Sequence, residues 1–387
     1  MIRIGSGIGV LGGNLKIVHV ITGLNTGGAE TALCRLLESL RPPQFEHVVV
    51  ALGPEGALST RVAKVAVLHH LGMRSGRVAP AEVWRLRGLI KRYQPDIIHG
   101  WMDHANLMAV VAAWGLTVPI IWGVRRSLYE IEREKRTTRL VIRAGAYLSR
   151  RPTRILYNSA VSKMQYTASG YSAARALVIP NGIDIARFKP DCAARMCVRS
   201  ELGITSEALA IGLIARVHPM KDHSNFLRAA AHFVAKNSRV VFVLVGDGAS
   251  ADNGELGEEI DQLHLREYVK LCGHRMDIAD LNNALDIASS SSCWGEAFSN
   301  TIAEAMACGK PCVATDLSDI REIIGETGIV VPPRDPVALS SGWAKLAELG
   351  YQGLRALGES ARARVVERYT LTAVAGRYAD LYTAVTE

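Results

Sequence analysis

The sequence contains no long hydrophobic run. Across its 387 residues, no apolar stretch reaches the about 18 residues that a membrane-spanning helix needs. The N-terminal stretch MIRIGSGIGVLGGN has one arginine and no compact apolar segment, so we expect no secretory signal. Apolar residues nevertheless make up 49% of the chain. That content excludes intrinsic disorder, and the length predicts two or three domains.

Cysteine pairs with metal-binding spacing are also absent. The seven cysteines are scattered, no C-x-x-C pair occurs, and no histidine lies close in sequence to Cys308 and Cys312. A zinc site needs such spacing, and disulfides need an oxidising compartment. We therefore expect no bound metal ion, and we interpret the cysteines as reduced thiols of a cytoplasmic protein.

Aromatic residues are scarce, at 6% of the chain, and they do not interleave with the basic residues, which argues against a nucleic-acid partner. The chain is nevertheless basic, with a formal net charge of +8. Such a charge indicates anionic partners, for example phosphorylated substrates or a membrane surface. Much of the excess lies in residues 121–155, where ten lysines and arginines oppose three glutamates. This stretch is either a solvated helix face or a surface that rests on anionic lipid.

Short β-branched runs alternate with amphipathic stretches along the whole chain. Predicted strands are 16–22, 47–53, 65–71, 96–100, 119–124, 209–217, 240–248, 269–274, 286–292, 311–316 and 328–333. Strand–helix–strand alternation predicts parallel, doubly wound sheets, and its restart predicts two Rossmann-like α/β domains. The segment IPNGIDIARFKP (179–190), with its Pro and Asn-Gly punctuation, predicts the linker between them.

These patterns divide the chain into four predicted parts. We expect a flexible leader at 1–14, an N-terminal domain at 15–185, a C-terminal domain at 186–368, and a final helix at 369–387 that crosses back to the first domain. The leader contains a formal G-x-G-x-x-G at Gly7, Gly9 and Gly12. A dinucleotide site needs a strand before that motif and a helix after it, and neither is predicted here.

Two residues stand at strand ends of the predicted N-terminal domain. Ligands of open parallel sheets bind outside the carboxyl ends of the strands. Gly28 belongs to a glycine-rich turn that opens a helix, where backbone N–H groups can approach a ligand; an ordinary turn is the alternative. His104 follows the strand at 96–100 and can donate to a substrate oxygen or act as an acid or base; a capping or core histidine is the alternative.

The first strands of the second half end in charged residues. Arg216 and Lys221 lie five residues apart in a predicted loop, and together they can hold a diphosphate; a solvated pair is the alternative. The next strand ends in Asp247, which stands between two glycines that permit close passage of a backbone.

The stretch EAFSNTIAE places two carboxylates around the start of a predicted helix. Ser299 or Asn300 can cap that helix, and its free N–H groups and dipole favour a phosphate. Glu304 falls four residues after Asn300, on the same face and about 6 Å further along the axis. Together with Glu296 it can grip a long polyhydroxylated ligand. The alternative is one loop glutamate and one surface glutamate.

At this point the sequence resembles the retaining glycosyltransferase family 4. The resemblance is carried by GLIARVHPMKDHSNFLRA, VLVGDG, LCGHRMDI and EAFSNTIAEAMACGKPCVATD, and it covers nearly the whole chain. It implies a GT-B fold, in which two Rossmann-like domains face an interdomain cleft. It implies transfer of a sugar from a nucleotide-diphosphate donor, first of all a UDP-sugar, to a glycan or lipid-linked acceptor in bacterial surface polysaccharide or glycolipid synthesis. The alternatives are a GT-B nucleotide-sugar epimerase and a non-catalytic nucleotide-sugar-binding protein.

The resemblance also implies a role for each candidate residue. Arg216 and Lys221 would neutralise the departing diphosphate, Glu296 would bind hydroxyls of the donor sugar, and His104 would close over that sugar from the other domain. Glu304 would bind the ribose, and the segment from Arg275 to Ile278 would border the base. The full set of expected substrate-binding positions is Gly28, Asp247, Arg275, Ile278, Phe298, Ser299, Asn300 and Glu304.

No metal cofactor is expected, because the chain has no D-x-D triplet to bridge a metal and the phosphates. The resemblance assigns acceptor binding to the N-terminal domain, which contains the basic stretch 121–155. A peripheral place on the inner face of the cell membrane is therefore an open alternative to a purely cytoplasmic one. Arg125 and Arg126 depart from the commoner family pattern, which makes them candidates for contact with an acceptor, and neither is assigned a specific role.

Overall fold

The computed structural model describes residues 14–25, 27–73, 80–133 and 136–387, and of Arg133 the backbone alone. The motif at Gly7, Gly9 and Gly12 lies outside the described residues, as does the predicted leader apart from the exposed Asn14. Within the described ranges, no helix combines the length and the apolar character needed to cross a bilayer.

The first sheet has seven strands in the order β3-β2-β1-β4-β5-β6-β7. They are β1 (Leu15–Ile21), β2 (Phe45–Ala51), β3 (Val67–His70), β4 (Ile97–Trp101), β5 (Ile120–Val124), β6 (Arg154–Tyr157) and β7 (Ala176–Val178). The pairings among β1 to β5 are parallel. The central strands are almost fully buried, as expected for a sheet covered by helices on both faces.

The helices of this part alternate with the strands. They are α1 (Gly28–Ser39), α2 (Ser59–Ala63), α3 (Pro80–Tyr93), α4 (Asp103–Ala112), α5 (Arg136–Leu148) and α6 (Ala160–Ala168), with 3₁₀ turns at Ile131–Arg133 and Ala173–Arg175. The sequence pattern missed β6 and β7. These strands have four and three residues, too few for a period of two to stand out from their surroundings.

The second sheet has six strands, all parallel, in the order β10-β9-β8-β11-β12-β13. They are β8 (Leu209–Ile214), β9 (Val240–Val245), β10 (Val269–Leu271), β11 (Ile287–Ser290), β12 (Cys312–Thr315) and β13 (Gly328–Val331). The prediction of two parallel, doubly wound sheets is therefore confirmed. The direction of the strand order reverses between β8 and β11, which makes this the switch point of the sheet.

Helices cover both faces of the second sheet. They are α7 (Cys192–Glu201), α8 (His223–Val234), α9 (Gly254–Gln262), α10 (Ile278–Ala284), α11 (Asn300–Ala307), α12 (Ile320–Ile324), α13 (Pro336–Ala347) and α14 (Gly350–Arg368), with a 3₁₀ turn at Pro219–Lys221. The last helix is α15 (Leu371–Ala384). On one face Phe226, Phe242 and Trp343 form a buried aromatic cluster, with the rings of Phe226 and Trp343 5.0 Å apart. On the other face α11 packs through Ile302 and Met306.

The chain divides into two compact units. The first comprises the residues up to Gly123 with Leu148–Ile155 and Arg377–Glu387, and the second comprises Val124–Tyr147 and Leu156–Gly376. Within the first unit, the Tyr382 hydroxyl of α15 lies 2.8 Å from Nδ1 of the buried His99 in β4. The domain borders at 185/186 and 368/369 stay a prediction.

A buried ion network anchors α7 to the start of β8. Asp286 accepts hydrogen bonds from Arg195 at 2.6 Å, from Arg199 at 3.2 Å and from the backbone N–H of Ala210 at 2.8 Å. The Arg199 side chain is 7% exposed, so its charge has little water around it. The network therefore depends on the carboxylate between the two guanidinium groups.

We predict that Asp286→Asn destabilises the second unit. Removing one partner of a buried charge cluster costs about 3 kcal/mol, or about 6–12 °C in melting temperature. The matched control is Asp316→Asn. Asp316 pairs with Arg321, which is 69% exposed, so loss of this ion pair should cost under about 1 kcal/mol. Calorimetric melting of both variants checks this, and equal shifts would contradict it.

Candidate functional site

The loop after β8 carries Arg216 and Lys221 and is tied to the segment after β11. Ser291 Oγ donates to the Lys221 carbonyl at 2.7 Å, and the backbone N–H of Cys293 donates to the Met220 carbonyl at 2.9 Å. The loop ends at Asp222, whose left-handed backbone (φ 50°) and side chain cap α8. The two strand ends at the switch point are thus linked directly.

Lys221 and Glu296 form an ion pair at this point. Lys221 Nζ donates to Glu296 Oε1, and Ser292 Oγ donates to the same oxygen at 2.9 Å. The Lys221 and Glu296 side chains are 20% and 15% exposed, so the pair is largely shielded from water. Glu296 Oε2 has no hydrogen-bond partner among the described residues and is available to a ligand hydroxyl.

Arg216 differs from Lys221 because its guanidinium has no hydrogen-bond or ion-pair partner in the described part of the chain. Arg216 is exposed, and its backbone lies beside the end of β9. There, Gly246 has φ 143°, and a Cβ at this position would lie 2.3 Å from the Ala215 carbonyl oxygen. Gly246 is therefore needed for the two strand ends to pass each other. A solvent-accessible cation that no carboxylate of the described residues binds can reach an anionic ligand.

The helix that the stretch EAFSN opens begins at Asn300, and Ser299 takes the cap position. The expected capping bond is not formed, because the Ser299 side chain accepts no hydrogen bond from the helix. Phe298 is 6% exposed and packs edge-on against Tyr369, with ring centroids 5.4 Å apart. Its ring therefore belongs to the core, and backbone groups are what this turn presents. Glu304 lies one turn inside α11 and is 7% exposed.

The residues expected around a base are held by charge pairs. Arg275 donates two hydrogen bonds to Asp277, at 2.8 and 2.6 Å, and also binds Glu201. The contacts with Asp277 and then Glu201 raise the pKa of Arg275. Its guanidinium is therefore occupied by carboxylates, whereas the Met276 side chain in the same segment is exposed. Ile278 is the first residue of α10. Asp247 accepts from His274 Nδ1 at 2.6 Å.

In the first unit, Gly28 and His104 follow two neighbouring strands. Gly28 is exposed and begins α1 after β1, and His104 is the second residue of α4 after β4. A Cβ at the cap residue Gly27 would lie 2.4 Å from a carboxylate oxygen of Glu30, so a larger residue there would displace that side chain. Both residues thus stand at the sheet edge where open parallel sheets bind ligands.

Sequence reasoning missed the side chain of Asn181 next to α11 and gave Arg125, its partner, no specific role. Asn181 Nδ2 donates to Asn300 Oδ1 at 2.8 Å, and Arg125 Nη1 donates to Asn181 Oδ1 at 2.6 Å. The Asn-Gly pair at 181–182 was visible in the sequence, but we interpreted it only as punctuation of a linker. No local signal connects that pair to a helix more than a hundred residues further on.

A cavity of about 690 Å³ opens on another side of the loop after β8. It is lined by His218, Pro219 and Asp222 of that loop and by Trp294, and none of the predicted site residues lines it. No group of three or more His, Cys, Asp or Glu side chains within the described ranges is arranged to hold a metal ion.

Comparison with known proteins relates this chain to glycosyltransferases. Two family models match, "Glycosyltransferase Family 4" over residues 26–187 and "Glycosyl transferases group 1" over residues 208–348. Among curated relatives, the putative glycosyltransferase EpsF of Bacillus subtilis is 26% identical over 307 residues, which is 78% of this chain and 79% of that protein. An Escherichia coli UDP-Gal:alpha-D-GlcNAc-diphosphoundecaprenol alpha-1,3-galactosyltransferase is 22% identical over 300 residues, 76% of each chain.

Solved structures show the same fold. Anabaena HepE in complex with UDP is 25% identical, with a TM-score of 0.84 over 96% of this chain and 100% of that chain. The lipopolysaccharide outer core galactosyltransferase WaaB is 16% identical, with a TM-score of 0.71 over 95% of this chain and 100% of that chain. The architecture of two parallel α/β sheets is therefore the GT-B fold.

The contrast between Arg216 and Lys221 predicts different effects on stability. Arg216→Met should change the free energy of unfolding by less than about 0.5 kcal/mol, because no partner among the described residues is lost. Lys221→Met should destabilise, because it leaves Glu296 in a shielded place without its cation. In a double-mutant cycle with Glu296→Gln, the coupling should be about 1–2 kcal/mol. Thermal melting of the variants measures it, and zero coupling would contradict the ion pair.

Proposed function

Because the chain belongs to glycosyltransferase family 4, we propose that it transfers a sugar from a nucleotide-diphosphate donor to a glycan or lipid-linked acceptor, with retention of anomeric configuration. The observation that carries the proposal is the ion pair of Lys221 and Glu296 at the switch point of the second sheet, with Arg216 on the same loop as Lys221. Two matching relatives support the details, since one structure holds UDP and one enzyme is named for an undecaprenol-linked acceptor. A UDP-sugar is the first donor to test, and bacterial surface polysaccharide or glycolipid synthesis is the proposed setting.

The cations of the β8 loop would act on the leaving group. A nucleotide diphosphate departs readily once its charge is countered, and preorganised cations in a shielded site do this effectively. Arg216 has no competing partner among the residues that the structure describes, so binding of a phosphate breaks no ion pair there. We propose that Arg216, Lys221 and the start of α11 suffice without a metal ion, in keeping with the missing D-x-D triplet.

The carboxylates would position the sugar and the ribose. Glu296 has one oxygen on Lys221 and one available, so it can accept from a sugar hydroxyl while the lysine turns to the phosphate. Glu304 would accept from the ribose. We propose attack by the acceptor hydroxyl on the anomeric carbon from the side that the diphosphate leaves. The C–O bond to the phosphate breaks, and a phosphate oxygen takes the hydroxyl proton.

The α5 helix supports a second proposal, that the protein rests on an anionic membrane. One face of the helix and its continuation is exposed and combines cations with large apolar side chains; it consists of Arg136, Leu140, Arg143, Tyr147 and Arg150. Leu140 is 61% and Tyr147 is 86% exposed. Helices of this composition bind the headgroup region, with the apolar side chains inserted and the cations on anionic lipid.

We predict that Glu296→Gln and Lys221→Ala each reduce sugar transfer about 100-fold or more, because each removes an electrostatic contact to the reacting donor. The measurement is incorporation from a panel of nucleotide sugars, after melting curves show that the fold persists. Glu326→Gln is the matched control at an exposed position. Near-normal transfer in either site variant would refute these roles, and nucleotide release without incorporation would point to an epimerase.

We also predict that the membrane affinity depends on the exposed face of α5. Each basic residue near an anionic surface contributes about 1 kcal/mol, so Arg136→Gln/Arg143→Gln should weaken binding more than about tenfold. Co-sedimentation with vesicles of neutral lipid, with and without anionic lipid, measures this. Lys236→Gln/Arg239→Gln removes the same charge at two other exposed positions. Binding that does not respond to anionic lipid would contradict the proposal.

A further inference from the structure

A chain of three side chains in the second unit ends at the first residue of α11. Arg125 Nη1 donates to Asn181 Oδ1 at 2.6 Å, and Asn181 Nδ2 donates to Asn300 Oδ1 at 2.8 Å. Asn181 is 5% exposed, whereas Asn300 is half-buried. The chain therefore runs from an arginine after β5, through a buried amide, to a side chain that a ligand can reach.

The direction of each hydrogen bond follows from the guanidinium group. Arginine carries only donors, so Asn181 must turn its oxygen toward Arg125. The amino group of Asn181 then faces Asn300 and requires the oxygen of that residue as its acceptor. One charged donor thus sets the orientation of two amides in sequence, which neither amide would settle by itself.

We call the hydrogen-bonded chain Arg125–Asn181–Asn300 the relay. It leaves the amino group of Asn300 pointing away from Asn181. Among the residues that the structure describes, Asn300 Nδ2 has no hydrogen-bond partner. It stands at the opening of α11, beside first-turn N–H groups that the Ser299 side chain does not cap. An amino group at this place adds a donor to a region of positive potential, whereas the amide oxygen would oppose an anion.

We propose that Arg125 and Asn181 are positioning residues, which hold the Asn300 amino group toward the diphosphate of the nucleotide-sugar donor. The inference rests on the proposed function, because it places that diphosphate at the start of α11. According to this proposal, Arg125 contributes to binding of the donor. Binding of the diphosphate part of the donor depends on the relay, and binding of the nucleoside part does not.

The decisive variant is Asn181→Asp. Aspartate still accepts from Arg125, but it cannot donate to Asn300, so the Asn300 amide turns its amino group inward and its oxygen outward. One lost hydrogen bond to a charged group, replaced by an opposing oxygen, should weaken binding of UDP or GDP, whichever binds the unaltered protein more tightly, at least about tenfold. Binding of the matching nucleoside, which lacks phosphates, should stay within about twofold. Calorimetric titration measures all of these affinities.

Two further variants separate orientation from general damage. Arg125→Lys keeps a charged donor, so its affinity for the diphosphate should stay within about threefold of that of the unaltered protein. Arg125→Met removes the donor, and its affinity should fall further than that. Asn253→Asp is the matched control, because it makes the same chemical change at the cap of α9, where aspartate and asparagine cap equally well.

Each outcome decides between the possibilities. A selective loss of diphosphate affinity in Asn181→Asp supports the relay. Unchanged diphosphate affinity, or an equal loss for nucleoside and diphosphate, overturns it and leaves Asn181 with a structural role only. If the unaltered protein binds neither diphosphate, the donor proposal itself fails, and the relay fails with it.

Discussion

The second sheet is organised by one constraint, the reversal of strand order between β8 and β11. Crossovers between parallel strands are right-handed, so the helices that follow these two strands lie on opposite faces of the sheet. The side chains bear this out, since Phe226 of α8 and Ile302 of α11 belong to cores on different faces. The loops after β8 and β11 therefore begin side by side and lead to opposite faces of the sheet. Arg216, Lys221 and Glu296 all stand on these loops.

Charge pairing then separates residues of the same chemical type. Arg275 is occupied by two carboxylates, Lys221 shares Glu296 with a serine hydroxyl, and Arg216 has no partner in the described part of the chain. A cation already matched by carboxylates contributes to local structure, and an unmatched one is available to an anion. The same principle applies to amides, because the donor-only Arg125 fixes which end of Asn181 faces Asn300.

Much of the architecture was predictable because its signals are local. The β-branched runs of β1, β8 and β9 and the glycine-rich strand ends follow from neighbouring residues, and they placed Arg216, Lys221 and Glu296 on loops after strands. Other features were not predictable in this way. The Arg275 guanidinium is bound by Glu201, which lies 74 positions away in the sequence. Ser299 occupies the predicted cap position, but its side chain forms no capping bond.

The sequence by itself determined two parallel α/β domains, the helix start at EAFSN and the family to which the chain belongs. Hydrophobic periods and turn residues act over a few positions, so they can be recognised without a partner. Only the tertiary structure decided which charges are paired and which way an amide points. Asn181 and Asn300 are 119 positions apart. The hydrogen bond between them exists only because folding of the second unit brings these two residues together.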